Sequence, residues 1–247
     1  PNAEANAGNE CHVYFANGNG LFVADVNSSL PYRRSTQIAE GEVTALAVNR
    51  HNGAVFWFSR SAQTNLTCFW RRQESHATND LLLCNDATVP SALAIDNQNH
   101  LLFLLDYNSN TVFSLDVFGR NWRKIPFNTT NPLTKRAEPV LSIEVDPRLN
   151  LIYISTPRRV VRIGYAHKDG DAIELVLQFP NTHGATLGTG KIELDVNQGI
   201  LYAIGQTPGD FNTKSVIFTA STTTLDPTHP TQLFTWQGLM RSLVLQS

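Results

Sequence analysis

Short apolar runs of strand length, separated by polar turns, make up most of this chain. Four segments share one pattern: an apolar run, an Asn or Asp, a turn of about four residues, and a second apolar run that carries an aromatic residue. These segments are 43–58, 91–105, 141–155 and 190–204. No window has apolar residues that recur at i, i+3, i+4 and i+7 over enough residues to indicate an amphipathic helix. The pattern therefore predicts antiparallel strand pairs in an all-β protein.

The Asn or Asp that ends each first strand marks an internal repeat. The side chain of such a residue can accept a hydrogen bond from a backbone N–H two residues further on, which favours a tight turn. The spacings between successive anchors are 47, 50 and 49 residues, and the anchors are Asn49, Asp96, Asp146 and Asp195. A period of about 40–50 residues is typical of the four-stranded blade of a β-propeller.

The two ends of the chain match complementary parts of one more repeat. Residues 238–247 match the first strand, and residues 11–25 match the second and third strands. Pairing the ends would complete a blade and remove the open edge of the ring. We therefore expect a single five-bladed β-propeller domain over residues 1–247. Its predicted blades are 238–247 with 11–40, then 41–88, 89–137, 138–188 and 189–237.

The aromatic second strand resembles the YWTD repeat of low-density-lipoprotein-receptor-type propellers and, more loosely, NHL repeats. The matching segments are 13–16, 56–59, 103–106, 153–156 and 202–205. The resemblance covers nearly the whole chain and implies the propeller architecture, not the receptor function. Members of the family have six blades, whereas the anchor spacings here leave room for five. The family's signature Asp is present only as Asp106.

Composition narrows the classes of partner. The net charge is -2 and the pI is near 6.4, which gives no electrostatic basis for binding nucleic acid or an anionic membrane. No apolar stretch approaches the roughly 20 residues that a membrane-spanning helix needs. No signal-peptide pattern follows Pro1, so we expect a mature form if the protein is exported.

Three sequons and a cysteine pair predict a secreted, glycosylated protein. The sequons begin at Asn27, Asn65 and Asn128, although such tripeptides also arise by chance. Cys68 and Cys84 flank a polar segment between two strand-like runs, where facing positions of a hairpin would allow a disulfide. Cys11 is then the odd cysteine, either buried or paired with another chain, so a monomer and a Cys11-linked dimer both stay open.

Catalytic signatures are scarce. The chain has no G-x-S-x-G or H-E-x-x-H motif, and we predict no catalytic residue, no metal site and no cofactor. Residues 106–110 have the D-x-N-x-N alternation of a calcium loop but lack its glycine and its closing acid, which favours a polar turn. Glu42 and Glu138 precede first strands and could join a calcium site if the protein were a metal-dependent, lactonase-like propeller hydrolase.

The loops that enter the first strands and those that join second to third strands should converge on one face around the tunnel. Charged and aromatic residues there suit a polar or aromatic ligand, although exposed charges need no ligand to explain them. The predicted ligand-binding residues are Glu42, Arg60, Ser91, Asp106, Tyr107, Glu138, Arg158, Arg159, Lys191, Asp210, Phe211 and Arg241.

These features predict a secreted, non-enzymatic protein that holds a small molecule, such as a pigment, or an extracellular partner protein at the tunnel face. The first alternative is the metal-dependent hydrolase, and the second is an adhesive or receptor-type extracellular module. We expect neither nucleic acid binding nor membrane insertion.

Overall fold

In the computed structural model, most of the described residues form β-structure. The described residues are 12–17, 19–25, 35–49, 52–61, 63–73, 78–85, 88–106, 108–127, 130, 137–179, 187–207 and 214–237. Within them the chain forms nineteen strands and no helix. No described segment is a helix long and apolar enough to cross a membrane.

The strands form five antiparallel sheets in chain order. Sheet 1 contains β1 (His12–Asn17), β2 (Gly20–Asp25) and β3 (Ser35–Glu40). Sheet 2 contains β4 (Glu42–Val48), β5 (Val55–Arg60), β6 (Thr67–Arg72) and β7 (Asn79–Asn85). Sheet 3 contains β8 (Pro90–Asp96), β9 (Leu101–Asp106), β10 (Thr111–Asp116) and β11 (Arg123–Ile125). Sheet 4 contains β12 (Ser142–Asp146), β13 (Leu151–Ser155), β14 (Arg159–Gly164) and β15 (Glu174–Gln178). Sheet 5 contains β16 (Leu187–Asp195), β17 (Ile200–Thr207), β18 (Lys214–Ser221) and β19 (Thr231–Gln237).

Within each sheet every strand pairs with the next one along the chain, and the first strands of sheets 2 to 5 lie side by side. β4 contacts β8, β8 contacts β12, and β12 contacts β16. The prediction of an all-β protein built of antiparallel sheets is confirmed. The predicted closing strand, residues 238–247, lies outside the described residues, as does Cys11.

Hydrophobic cores fill the spaces between consecutive sheets. Four clusters of buried residues lie between sheets 1 and 2, 2 and 3, 3 and 4, and 4 and 5. Successive side chains of a strand point to opposite faces, so one strand serves two cores. In β9, Leu102 and Leu104 pack toward sheet 2, whereas Phe103 and Leu105 pack toward sheet 4. This is why the central strands are apolar at every position rather than at alternate ones.

The anchor residues form the turns that the sequence predicts. The Asp96 side chain is fully buried, and its Oδ1 accepts hydrogen bonds from the backbone N–H of Gln98 at 2.8 Å and of Asn99 at 2.9 Å. Asp146 likewise accepts from the N–H of Arg148, two residues on, at 3.0 Å. In these two repeats the same kind of side-chain contact therefore stabilises the turn.

The last residue of each turn is left-handed. Four residues after each anchor, φ is +65° at Gly53, +55° at His100, +53° at Asn150 and +65° at Gly199. Gly and Asn adopt this region most readily, and His is also enriched there. The exposed His100 therefore completes a turn.

Cys68 and Cys84 form the predicted disulfide. They are register partners in β6 and β7, with their Cα atoms 4.0 Å apart. The bridge therefore ties the outermost strand of sheet 2 to its neighbour.

Tyr165 follows β14 at the junction of sheets 3 and 4. Its ring centroid lies 4.5 Å from that of Phe103, and its hydroxyl is buried. Burial raises the pKa of Tyr165 far above its usual value of 10.0, and the negative charges of Asp96 and Asp146 add to the shift. The folded protein therefore keeps this phenol protonated at pH values where the unfolded chain releases the proton.

We expect alkaline pH to destabilise the protein through Tyr165. Above about pH 10 the unfolded state ionises and the folded state does not, so the free energy of unfolding falls as pH rises. Urea unfolding between about pH 9 and 11 should show a steeper fall for the wild type than for Tyr165→Phe. Equal slopes for the two proteins would show that this phenol does not set the alkaline limit.

Candidate functional site

The structure brings together two of the predicted binding residues, Glu138 and Arg159, in a buried ion pair. Glu138 is only 7% exposed, and its Oε2 accepts a hydrogen bond from the Thr156 hydroxyl at 2.7 Å. Arg159 Nε lies 3.3 Å from the same oxygen, and Arg159 Nη2 donates to the Thr130 carbonyl oxygen at 3.0 Å. The Glu138 carboxylate is therefore held by Thr156 and Arg159.

Asn110 joins the same region to sheet 3. Its Nδ2 donates to the carbonyl oxygen of Glu138 at 3.0 Å, and its Oδ1 accepts from the N–H of Val140 at 2.6 Å. The backbone of Asn110 has a φ of +51°, which lies in the left-handed region that Asn tolerates. One amide thus pairs with the chain that leads into β12, as a neighbouring strand would.

Asp106, the signature position of the resemblance, stabilises a polar turn. Its Oδ1 accepts from the Val89 N–H at 2.8 Å. Its Oδ2 accepts from the N–H of Ser109 at 3.0 Å and from the Ser109 hydroxyl. These contacts support the interpretation of residues 106–110 as a turn. Among the residues that the structure describes, no three His, Cys, Asp or Glu side chains are grouped as metal ligands would be.

The other predicted residues do not form one described cluster. Glu42 and Arg60 are cross-strand partners at the ends of β4 and β5, and Glu42 is exposed. Ser91 is exposed at a register shift in β8, and Arg158 is exposed in the turn before β14. The predicted residues outside the described part of the chain are Tyr107, Asp210, Phe211 and Arg241, with the sequons at Asn27 and Asn128.

A central cavity of about 290 Å³ lies among the first strands of sheets 2 to 5. Its apolar walls come from all four strands, and its polar lining residues are Asn97, Glu144, Lys191 and Glu193. Of these, only Lys191 was predicted from the sequence. The Oδ1 of Asn97 is buried and accepts no hydrogen bond from the described residues, which leaves an acceptor for a bound molecule or water.

Lys191 reaches this cavity through an irregularity in β16. The register with β17 shifts between Gly188 and Ile192, so the residues between them have no regular partner. The whole of 187–191 belongs to β16. The additional residues in β16 therefore give Lys191 a position that it would not have in a regularly paired strand.

Glu144 and Glu193 were missed by sequence reasoning, although the repeat contains a signal for them. Both stand two residues before an anchor, where the other two repeats have Ala47 and Ala94. A carboxylate in the middle of an apolar inner strand needs a polar surrounding. All four residues line the cavity, so this position of the repeat faces the cavity between the first strands.

Comparisons with solved structures support a β-propeller fold. A chain of the nidogen/laminin complex matches with a TM-score of 0.57 at 12% identity, over 91% of this chain and 92% of that one. TolB from Acinetobacter baumannii matches with a TM-score of 0.60 at 10% identity, over 87% of this chain and 50% of that one. The GH74 enzyme of Niastella koreensis matches with a TM-score of 0.62 at 16% identity, over 90% of this chain and 35% of that one. This chain thus spans half or less of the last two proteins.

No family model and no curated protein matches the sequence. The likeness to solved structures is one of fold, and it covers nearly the whole chain. The chain therefore resembles β-propellers.

Two arginines of β14 form ion pairs, Arg159 with the buried Glu138 and Arg162 with the exposed Glu174. Removing Glu138 should destabilise the protein more than removing Glu174. We expect Glu138→Ala to lower the free energy of unfolding by about 3 kcal/mol, because Thr156 and Arg159 both lose a carboxylate that is itself buried. Glu174→Ala is the control, since Glu174 is 55% exposed at 2.6 Å from Arg162, and its loss should be below about 1 kcal/mol. Urea unfolding of both variants measures the difference, and equal losses would contradict it.

Proposed function

We propose that this protein is a secreted, non-enzymatic, five-bladed β-propeller that holds a small polar molecule in its central cavity. Five blades would be closed by pairing residues 238–247 with residues 11–25, and the inner strands would then surround the cavity. The observation that carries the proposal is the polar lining of this cavity by Lys191, Glu144 and Glu193, together with the unsatisfied Oδ1 of Asn97.

The cavity's chemistry favours a ligand with both donor and acceptor groups. An ammonium donates hydrogen bonds, carboxylates accept them, and both lie between apolar walls. A volume near 290 Å³ is at the small end of ligand pockets. A compact polar molecule therefore fits better than a large pigment.

A second candidate function is the binding of an extracellular protein, which the likeness to a chain of the nidogen/laminin complex favours. The hydrolase alternative has a structural likeness to the GH74 enzyme in its favour. However, one of its two proposed carboxylates, Glu138, is held by Thr156 and Arg159. Binding is therefore the better-supported function.

Secretion is supported by the Cys68–Cys84 disulfide, because such bonds persist in oxidising compartments. Asn65 adds to this, since it is exposed in the loop between β5 and β6 and begins a sequon.

We expect Asn65 to carry a glycan when the chain is made in a eukaryotic secretory pathway. Asn65→Gln should remove one step of the mobility shift that a peptide N-glycosidase produces on a gel. Asn121→Gln is a matched control, because Asn121 is also exposed and left-handed but begins no sequon. An unchanged shift in Asn65→Gln would show that this site is unoccupied.

The central site can be tested with a library of small polar molecules, screened by the melting temperature of the full chain and then by calorimetry. We expect at least one compound to bind, and Lys191→Met to weaken it at least tenfold, about 1.4 kcal/mol. Lys124→Met is the control, since Lys124 is exposed on the outermost strand β11.

Three outcomes would count against the central site. One is a library in which no compound raises the melting temperature, and another is a compound that binds the wild type and Lys191→Met equally well. The third is binding to immobilised laminin that persists in Lys191→Met, which would favour the protein-binding candidate instead.

A further inference from the structure

A second cavity, of about 480 Å³, lies between the outer parts of sheets 3 and 4. It is formed by the segment after β11, by β14 and β15, and by the connection between those two strands. It shares no lining residue with the central cavity. The inference below therefore does not depend on the function proposed for the centre.

The floor of this cavity is apolar. Val161 is buried in the core between sheets 3 and 4, and Phe127, Ile173 and Leu175 pack against that core. A molecule that fills the cavity would therefore extend the core and remove apolar surface from water.

His167 supplies a polar group within these apolar walls. Its backbone N–H donates to the Gly164 carbonyl oxygen at 3.0 Å, which fixes the residue at the end of β14. The residue is only 6% exposed and lines the cavity. Its imidazole has no hydrogen-bond partner among the described residues. Its ring nitrogens are not enclosed by the protein, so they are open to a hydrogen bond with a group that binds in the cavity.

The charged groups around the cavity restrict what that group can be. The Arg159 guanidinium is held by Glu138 and by the Thr130 carbonyl. Asp169 and Asp171 are exposed at the rim, where water solvates them. A charged ligand would lose its hydration inside without gaining an opposite charge, which costs several kcal/mol in general. A neutral ligand avoids this cost.

We propose that this cavity binds a neutral, mostly apolar small molecule of the class of phenols and aromatic alcohols, whose hydroxyl pairs with His167. A hydroxyl can donate to one form of an imidazole nitrogen and accept from the other. The aromatic body would lie on Val161, Ile173 and Leu175, and the hydroxyl would form a hydrogen bond with a ring nitrogen of His167.

The test uses two probes that differ by one hydroxyl, 4-ethylphenol and ethylbenzene, titrated into the full chain and followed by calorimetry and NMR. We expect 4-ethylphenol to bind one site per chain, and His167→Phe to weaken it about tenfold. Ethylbenzene should bind the wild type and His167→Phe with similar affinity, because it makes no hydrogen bond. His229→Phe is the matched control, since that histidine is exposed in the loop before β19.

Further measurements keep the proposal testable if His167→Phe does not fold. In the wild type, 4-ethylphenol should shift the imidazole resonances of His167 and leave those of the exposed His100 unchanged. Leu175→Trp should fill the cavity and abolish binding of both probes. The proposal is overturned if 4-ethylphenol does not saturate, which would indicate that the cavity holds only water. It is equally overturned if His167→Phe and His229→Phe bind 4-ethylphenol as the wild type does.

Discussion

The structure depends on one constraint, which is that each of sheets 2, 3 and 4 buries both of its faces against its neighbours. A sheet in the middle of the series has no solvated face, so its inner strands cannot alternate apolar and polar residues. Phe56 and Phe58 of β5 pack toward sheet 3, while Val55 and Trp57 pack toward sheet 1. Apolar burial at this density favours strand ends, turns and the central cavity as places for charged side chains. The candidate sites lie in these places.

Side chains join the sheets where apolar packing ends. Asn110 connects sheet 3 to the segment before β12, and Arg162 Nη1 donates to the Thr222 carbonyl oxygen of sheet 5 at 2.6 Å. Such contacts fix the angle between sheets that hydrophobic packing alone would leave free, because packing is non-directional. The central cavity lies beside Glu144 and Glu193 on the inner strands, and the second cavity lies beside the buried His167.

The repeat made the strands and the anchor turns predictable, because both depend on local chemistry that recurs along the chain, and the disulfide followed from two cysteines that flank one hairpin. The role of Glu138 was less predictable. Its position before a first strand was clear, but its pairing with Arg159 inside the fold depends on contacts between distant loops. Glu144 and His167 were missed for different reasons. The first required the repeat to be compared position by position, and the second lies in a connection that no repeat describes. The irregular register near Lys191 could not be counted from sequence, since a bulge shifts which face a side chain occupies.

The Cys68–Cys84 bridge has a consequence for how the protein behaves among other molecules of its own kind. It closes a separation of only 16 residues, so its effect on the entropy of the unfolded chain is limited. Its position matters more, because β7 is the outermost strand of sheet 2 and carries the exposed Leu81. An unpaired edge of this kind is a template for strand exchange and aggregation. The bridge holds β7 in register on β6, so reduction would loosen this edge strand, whose Leu82 and Leu83 pack against the core between sheets 2 and 3. Colloidal solubility, and not only folding, would then depend on an oxidising environment.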